Sequence, residues 1–382
     1  MDRLDGPGGS DSGLADGSGF VLGGTALPLI APTRVYVCGI TPYDVTHLGH
    51  ASTFVWADTL ARVVRMIRTP TVVARNVTDI DDVLTRTAAE RRIDYDEFGL
   101  RQEYFFDQTM TALQIRPPDH APRARHHVPH VIALTRALLA RGAAYEREGA
   151  VYFRGAGVPA SAGLDRDTAL ALSAEYGDQP EDPGRDDPFD VLLWKPSAEG
   201  HPAWPSPWGP GRPGWHVECA AMAVASLGGV VDVLAGGADL TFPHHAYQSA
   251  MVAAATGAGM FARRAFRIGT VGVDGAKMAK STGNLVLVQD LLADTSGAAL
   301  RMLLLDRPWG QAWEYRAEDV ALATGRLEDL YVAAGRKTGS AAAVGRVQAA
   351  LLNDLDVSTA LGVAVEAGGE AARMAIRTLA LQ

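Results

Sequence analysis

The 382-residue chain is 47% hydrophobic and 21% charged, the balance of an ordinary globular protein with length enough for two or three domains. Its net charge of -9 argues against broad, non-specific binding of nucleic acid, and no apolar run approaches the roughly 18 residues that would span a bilayer. The N-terminus is acidic and rich in Gly and Ser, without the basic-then-apolar order of a secretory signal, so the expected compartment is the cytoplasm.

Residues 1–24 form a Gly-, Ser- and Asp-rich segment expected to be poorly ordered, and 26–33 reads as an edge strand entering the core. Val35-Tyr-Val37 is a short β-branched and aromatic run, a buried strand ended by Cys38 and Gly39. Across a polar turn, His47-Leu-Gly-His50 opens a helix in which Ala51, Phe54, Val55, Val63, Val64 and Ile67 recur at three- and four-residue spacing. A second strand over 71–77 completes a βαβ unit, so the sheet is expected to be parallel. Ligands of such sheets bind at the carboxyl ends of the strands, which puts Asn76 and Thr78 beside Cys38.

Helices are expected over 83–92, 98–115 and 131–141, with the histidines at 120, 126, 127 and 130 in a Pro- and Arg-rich connection before the last of them. No acidic or Cys partner stands at ligand spacing there, so these histidines read as solvated or capping groups. A strand over 150–154 precedes a loop-rich, acidic insertion over 159–188, and 189–195 reads as a strand returning to the body. Three Trp among Pro and Gly over 204–215 suit a packed wall, not a tether. Helices over 220–227 and 248–256 alternate with strands over 230–234 and 266–273, and the Ala-, Leu- and Arg-rich segment from 288 on reads as four or five bundled helices.

Three features carry chemistry. His47 and His50 sit at a helix N-terminus, where backbone N–H groups favour an anion. The cysteines, Cys38 and Cys219, are far apart in sequence, and a reducing compartment disfavours a disulfide. They are either inert core thiols or, with a histidine of the His244-His245 pair, metal ligands. Lysine is scarce: among 35 basic residues only Lys195, Lys277, Lys280 and Lys337 are Lys. Two of them share Asp274-Gly-Ala-Lys-Met-Ala-Lys-Ser-Thr-Gly283, whose small residues allow its backbone to close on a phosphate.

His47-Leu-Gly-His50 and Lys277-Met-Ala-Lys-Ser281 resemble the two signature motifs of the class I aminoacyl-tRNA synthetases. Tyr36-Val-Cys-Gly39, Asn76-Val-Thr-Asp79, Arg212-Pro-Gly-Trp-His-Val-Glu-Cys219 and Asp239-Leu-Thr-Phe-Pro-His-His245 resemble its cysteinyl-tRNA synthetase branch. The resemblance implies an α/β, Rossmann-like catalytic domain with a parallel sheet and an inserted connective subdomain, followed by a C-terminal helical bundle. The corresponding boundaries are 25–115 and 191–287 for the two catalytic halves, 116–190 for the insert and 288–382 for the bundle.

One kind of enzyme in that branch charges tRNA with cysteine; the other joins L-cysteine to the amine of glucosaminyl-inositol in mycothiol biosynthesis. Gly39-Ile-Thr-Pro-Tyr-Asp44 and Thr46-His-Leu-Gly-His-Ala51 are spelled as in the ligases. Few residues follow the lysine loop, and Gln248 stands where the tRNA enzymes carry an additional zinc-binding Glu. The resemblance therefore implies ATP, with Mg2+, as a substrate and argues against tRNA as a partner; a monomer is expected. It assigns one Zn2+ to Cys38, Cys219 and His244, and catalysis to His47, His50, Lys277 and Lys280. The adenylate site would be lined by Cys38, Gly39, Ile40, Thr41, Thr53, Asn76, Val77, Thr78, Trp215, Gly237, Ala238, Asp239 and Val271.

Three departures from the pattern stand out: Ala279 replaces a Ser of the lysine loop, Ala246 replaces a Glu after the His pair, and Pro183-Gly-Arg-Asp-Asp-Pro188 departs from the ligases' insert. The competing readings are a cysteinyl-tRNA synthetase-like enzyme and a weakened paralogue that binds cysteine or adenylate.

Overall fold

The structure is a computed structural model and describes residues 19–43, 46–199, 201–278 and 283–382. At its centre is a four-stranded parallel sheet in the order Ala262–Ile268, Val231–Gly237, Thr33–Ile40, Thr71–Val77. The chain leaves Thr33–Ile40 through the helix Leu48–Met66 to the strand on one side, and later returns to the strand on the other side. The carboxyl end of Thr33–Ile40 is thus a topological switch point, where an open α/β sheet forms its ligand crevice.

Alternation along Thr33–Ile40 divides the core. Val35 and Val37 face Leu48–Met66, Gly297–Leu305 and the C-terminal helices, whereas Tyr36 and Cys38 face Trp215–Leu227 and Ala124–Ala140. Six helices follow residue 287, and the last four pack against one another as the bundle. The bundle is tied to the catalytic body by Arg301, whose side chain is 0% exposed. It donates to the carbonyls of Leu379 and Leu113 at 2.9 Å each and to Asp58 at 3.0 Å.

The insert differs from its expected outline. Val191–Pro196 does not return to the body: it pairs antiparallel with Ala150–Phe153 and with Gly211–Pro213 in a second four-stranded sheet, completed by Ala144–Arg147. The histidine-rich connection is also helical, because Ala124–Ala140 begins seven residues earlier than expected and carries Pro129 in its second turn. A proline there removes one ladder hydrogen bond, a loss that burial of Val128, Val131, Leu134 and Leu138 outweighs.

At the N-terminus, residues 19–24 are ordered: Val21–Leu22 pairs with Thr25–Ala26, and Phe20 and Leu22 are buried. Residues 27–32 form no strand, in keeping with the donors removed at Pro28 and Pro32. The single strand expected over 266–273 is two, split at Gly269-Thr270. Ala262–Ile268 stays in the parallel sheet, and Val271–Val273 pairs with Ala276–Lys277 and Trp313–Glu314. This small three-stranded sheet anchors the start of the lysine loop.

Candidate active site

Cys38 lies near the end of its strand and Cys219 in the second turn of Trp215–Leu227; both are buried. His244 opens the helix His244–Thr256 and is also buried. The two sulfurs and one imidazole nitrogen lie within 4.8 Å of one another. Three elements distant in sequence therefore converge on one point beneath the strand ends.

Polar contacts hold this cluster. Asn76 accepts from the Gly39 amide at 2.9 Å through Oδ1, and its Nδ2 lies 3.4 Å from the Cys219 sulfur. His245 Nε2 is 3.3 Å from the Cys38 sulfur, and the Gln248 amide oxygen is 3.8 Å from it. His216 and His244 meet through their Nδ1 atoms at 2.9 Å. A Cβ on Gly39 would overlap the Asn76 carbonyl, so glycine lets two strand ends meet.

The donor chemistry fits a soft divalent cation. Burial lowers the His244 imidazole well below its usual range, leaving it neutral as a metal ligand must be. Hydrogen bonding with Cys38, reinforced by burial and charge repulsion, pushes the Cys219 thiol well above its usual range. Two buried sulfurs this close resist ionising together, and a cation between them would remove that conflict. Two thiols and one imidazole suit zinc and leave a fourth position.

On the same edge of the sheet, His47 caps Leu48–Met66 and its ring stacks on His50 at 3.8 Å. The segment after the lysine loop is pinned to this helix start, with Leu48 donating to the Val286 carbonyl at 2.9 Å and Val288 to the Thr46 carbonyl at 3.1 Å. Lys277 reaches across to Asp239, Nζ to carboxylate 2.9 Å, with both side chains partly exposed. Lys280 lies outside the described residues, as does Ala279.

Between these two regions, the hydroxyls of Thr41 and Thr78 are 2.7 Å apart, and the Thr78 amide donates to the Ile40 carbonyl at 2.9 Å. Val77 pairs with Ile40 across the sheet. Gly237 and Ala238 lead into a short turn of 3₁₀ helix carrying Asp239, and a Cβ on Gly237 would come within 3.9 Å of the Thr53 hydroxyl. Val271 is buried on the small sheet, and its carbonyl accepts from Met278 of the lysine loop at 3.2 Å. Trp215 stacks on His244 with centroids 4.2 Å apart, so the Trp-rich wall touches the cluster directly.

Sequence reasoning did not single out His216, Gln248 as a neighbour of Cys38, or Tyr176. Tyr176 comes from the insert, stacks on Trp215 at 5.9 Å and donates its hydroxyl to the Asp239 carbonyl at 2.8 Å. The signal available for His216 and Gln248 was adjacency to Cys219 and to the His pair; Tyr176 carried none.

Residues 30–325 match the family model described as the tRNA synthetases class I (C) catalytic domain. A Thermomonospora curvata protein named L-cysteine:1D-myo-inositol 2-amino-2-deoxy-alpha-D-glucopyranoside ligase is 42% identical over 361 residues, covering 89% of this chain and 87% of its own. A Frankia alni protein of the same name is 42% identical over 349 residues, covering 90% and 84% respectively. Among solved structures, Mycobacterium tuberculosis methionyl-tRNA synthetase bound by methionyl-adenylate superposes with a TM-score of 0.65 at 18% identity, covering 91% of this chain and 88% of its own. That likeness shows the fold, a class I synthetase catalytic domain. With it and with two ligases of 42% identity along most of its length, the chain is an ATP-dependent ligase and belongs to the L-cysteine:1D-myo-inositol 2-amino-2-deoxy-alpha-D-glucopyranoside ligase family of the class I aminoacyl-tRNA synthetases.

Proposed function

We propose that the chain joins L-cysteine to the amine of glucosaminyl-inositol through a cysteinyl-adenylate, converting ATP to AMP and pyrophosphate. The observation that carries this reading is the meeting, at one end of one sheet, of a buried cluster of two sulfurs and an imidazole with a His-Lys-Asp edge suited to ATP. The relatives' name supplies the acceptor.

Cys38, Cys219 and His244 would hold zinc, which when bound supplies a soft position that prefers a thiolate to a hydroxyl. Asn76, His245 and Gln248 orient the sulfurs around it. In the first step the cysteine carboxylate attacks the α-phosphorus of ATP and pyrophosphate departs. The start of Leu48–Met66, with His47 and His50, faces the phosphates and favours their negative charge. Lys277, joined by Lys280 and by Mg2+ carried with ATP, neutralises the departing pyrophosphate.

To do so, Lys277 exchanges Asp239 for phosphate. An ion pair this exposed contributes about 0–1 kcal/mol, little enough for a triphosphate to displace. Ile40, Thr41, Thr53, Thr78, Gly237, Ala238, Asp239 and Val271 enclose the nucleoside, while Gly39, Val77 and Trp215 close the side toward the cluster. In the second step the acceptor amine attacks the acyl carbon, the carbon–oxygen bond to phosphate breaks, AMP leaves with the electron pair, and the amine gives up a proton.

The test is exchange of labelled pyrophosphate into ATP. The expected result is exchange that requires cysteine and is lower with serine by about a hundredfold or more. Equal exchange with serine, or none with cysteine, contradicts the reading.

A further inference from the structure

Among the described residues of the insert, Tyr176 contacts both Asp239 and Trp215. Tyr176 ends the helix Arg166–Glu175 and is half-buried. Its hydroxyl donates to the carbonyl of Asp239, on the nucleotide side of the crevice, while its ring lies over Trp215 at 5.9 Å and 27°. Trp215 in turn lies over the cluster ligand His244 at 4.2 Å and 22°. Tyr176 therefore spans, from outside the sheet, the two places that would hold the ends of a cysteinyl-adenylate. The acyl carbon joins those ends and must lie between them.

The loop that follows Tyr176 is tied down along its length. Arg185 is 5% exposed at its side chain; its guanidinium meets Asp178 at 2.6 and 3.0 Å and donates to the Pro188 carbonyl at 3.1 Å. Tyr152 donates to Asp182 at 3.0 Å, and the buried Asp190 accepts from the Gly155 amide at 2.7 Å and from Tyr145 at 2.8 Å. These pairs fasten both ends of the loop to the insert's sheet. Beside that fastened loop, the Tyr176 side chain is itself held by its hydrogen bond to Asp239 and its stack on Trp215, as a wall must be.

We infer that Tyr176 is a positioning residue of the amide-forming step: with Trp215 it forms the insert side of the cleft through which a polyhydroxylated amine reaches the acyl carbon. The inference rests on the proposed two-step reaction and adds which element of the chain governs the acceptor. A flat aromatic ring suits the C–H face of a sugar, and its hydroxyl, engaged with Asp239, keeps the ring edge-fixed. Unlike Trp215 and Asp239, Tyr176 is not among the groups placed around the adenylate, so its own side chain bears on the step that uses the acceptor.

The two half-reactions separate the roles. Pyrophosphate exchange with cysteine reads the first, and amide formation with glucosaminyl-inositol reads the second; both are measured on the full chain for Tyr176→Ala and Tyr176→Phe. Tyr176→Ala is expected to raise the acceptor KM about tenfold or more while exchange stays within about twofold. Tyr176→Phe, which keeps the ring, is expected to recover most of the acceptor affinity. If exchange and amide formation fall together in Tyr176→Ala, the residue supports the adenylate site and the inference is overturned. An unchanged acceptor KM overturns it as well. If the unsubstituted chain shows no cysteine-dependent exchange, the functional reading fails first and takes this inference with it.

Discussion

A cluster of two sulfurs and one imidazole is a demanding thing to bury, and the residues around it show how the chain does so. Asn76, His245 and Gln248 each place a polar atom near a sulfur, and Asn76 also fastens the strand end at Gly39. If the cluster holds zinc, removing one ligand leaves too few donors for a closed site. Cys219→Ala is therefore expected to drop zinc from about one ion per chain to a small fraction, measured by metal analysis after purification. Full zinc in that variant contradicts the assignment. Cys38, Cys219 and Lys277 stood out in the sequence because the chain has so few Cys and Lys, whereas His244 was reached only through the motif resemblance. The supporting contacts were not, since His245 and Gln248 meet Cys38 across more than 200 residues.

At the scale of elements, the parallel sheet was legible because each strand is a short apolar run separated from the next by a helix. The boundaries that failed did so where tertiary packing overrides local signals. Pro129 looks like a helix breaker, yet Ala124–Ala140 runs through it because its apolar face packs on Trp215–Leu227. Val191–Pro196 reads as a core strand, but its partners belong to the insert, a matter of pairing that composition does not encode.

The same insert is clamped to the helix Asp82–Arg91: Asp82 meets Lys195 and Arg212 at 2.7 Å each. Burial pushes the Asp82 carboxyl up, but hydrogen bonds and charge from Lys195 and Arg212 outweigh it and hold the group below its usual range. A lowered carboxylate pKa stabilises the fold above the unfolded value, about 3.9, and the benefit disappears as pH falls through the folded value. The stability difference between the natural chain and Asp82→Asn should be present at pH 7 and shrink below about pH 4. Denaturant titrations at the two pH values measure it; a difference that persists or grows in acid contradicts the account.

The whole molecule joins a catalytic body to a helical bundle, and Arg301 is a fully buried fastening between them. It is fully enclosed, and burial lowers its pKa to about 10, so it remains charged at neutral pH. Arg301→Met would leave Asp58 without that partner and two main-chain carbonyls without a donor. A loss of about 3–5 kcal/mol is expected in urea unfolding, and a loss under about 1 kcal/mol would contradict the role given to the residue.

No helix among the described residues is long and apolar enough to cross a membrane. One measurement tests directly whether the crevice links cysteine to an amine on a sugar. The full chain is incubated with cysteine, ATP and either glucosaminyl-inositol or tRNA, and products are identified by mass spectrometry. The account predicts the cysteinyl amide of glucosaminyl-inositol with one AMP and one pyrophosphate per amide formed, and no charged tRNA. Cysteinylated tRNA without the amide, or AMP release that does not depend on the amine, would contradict it.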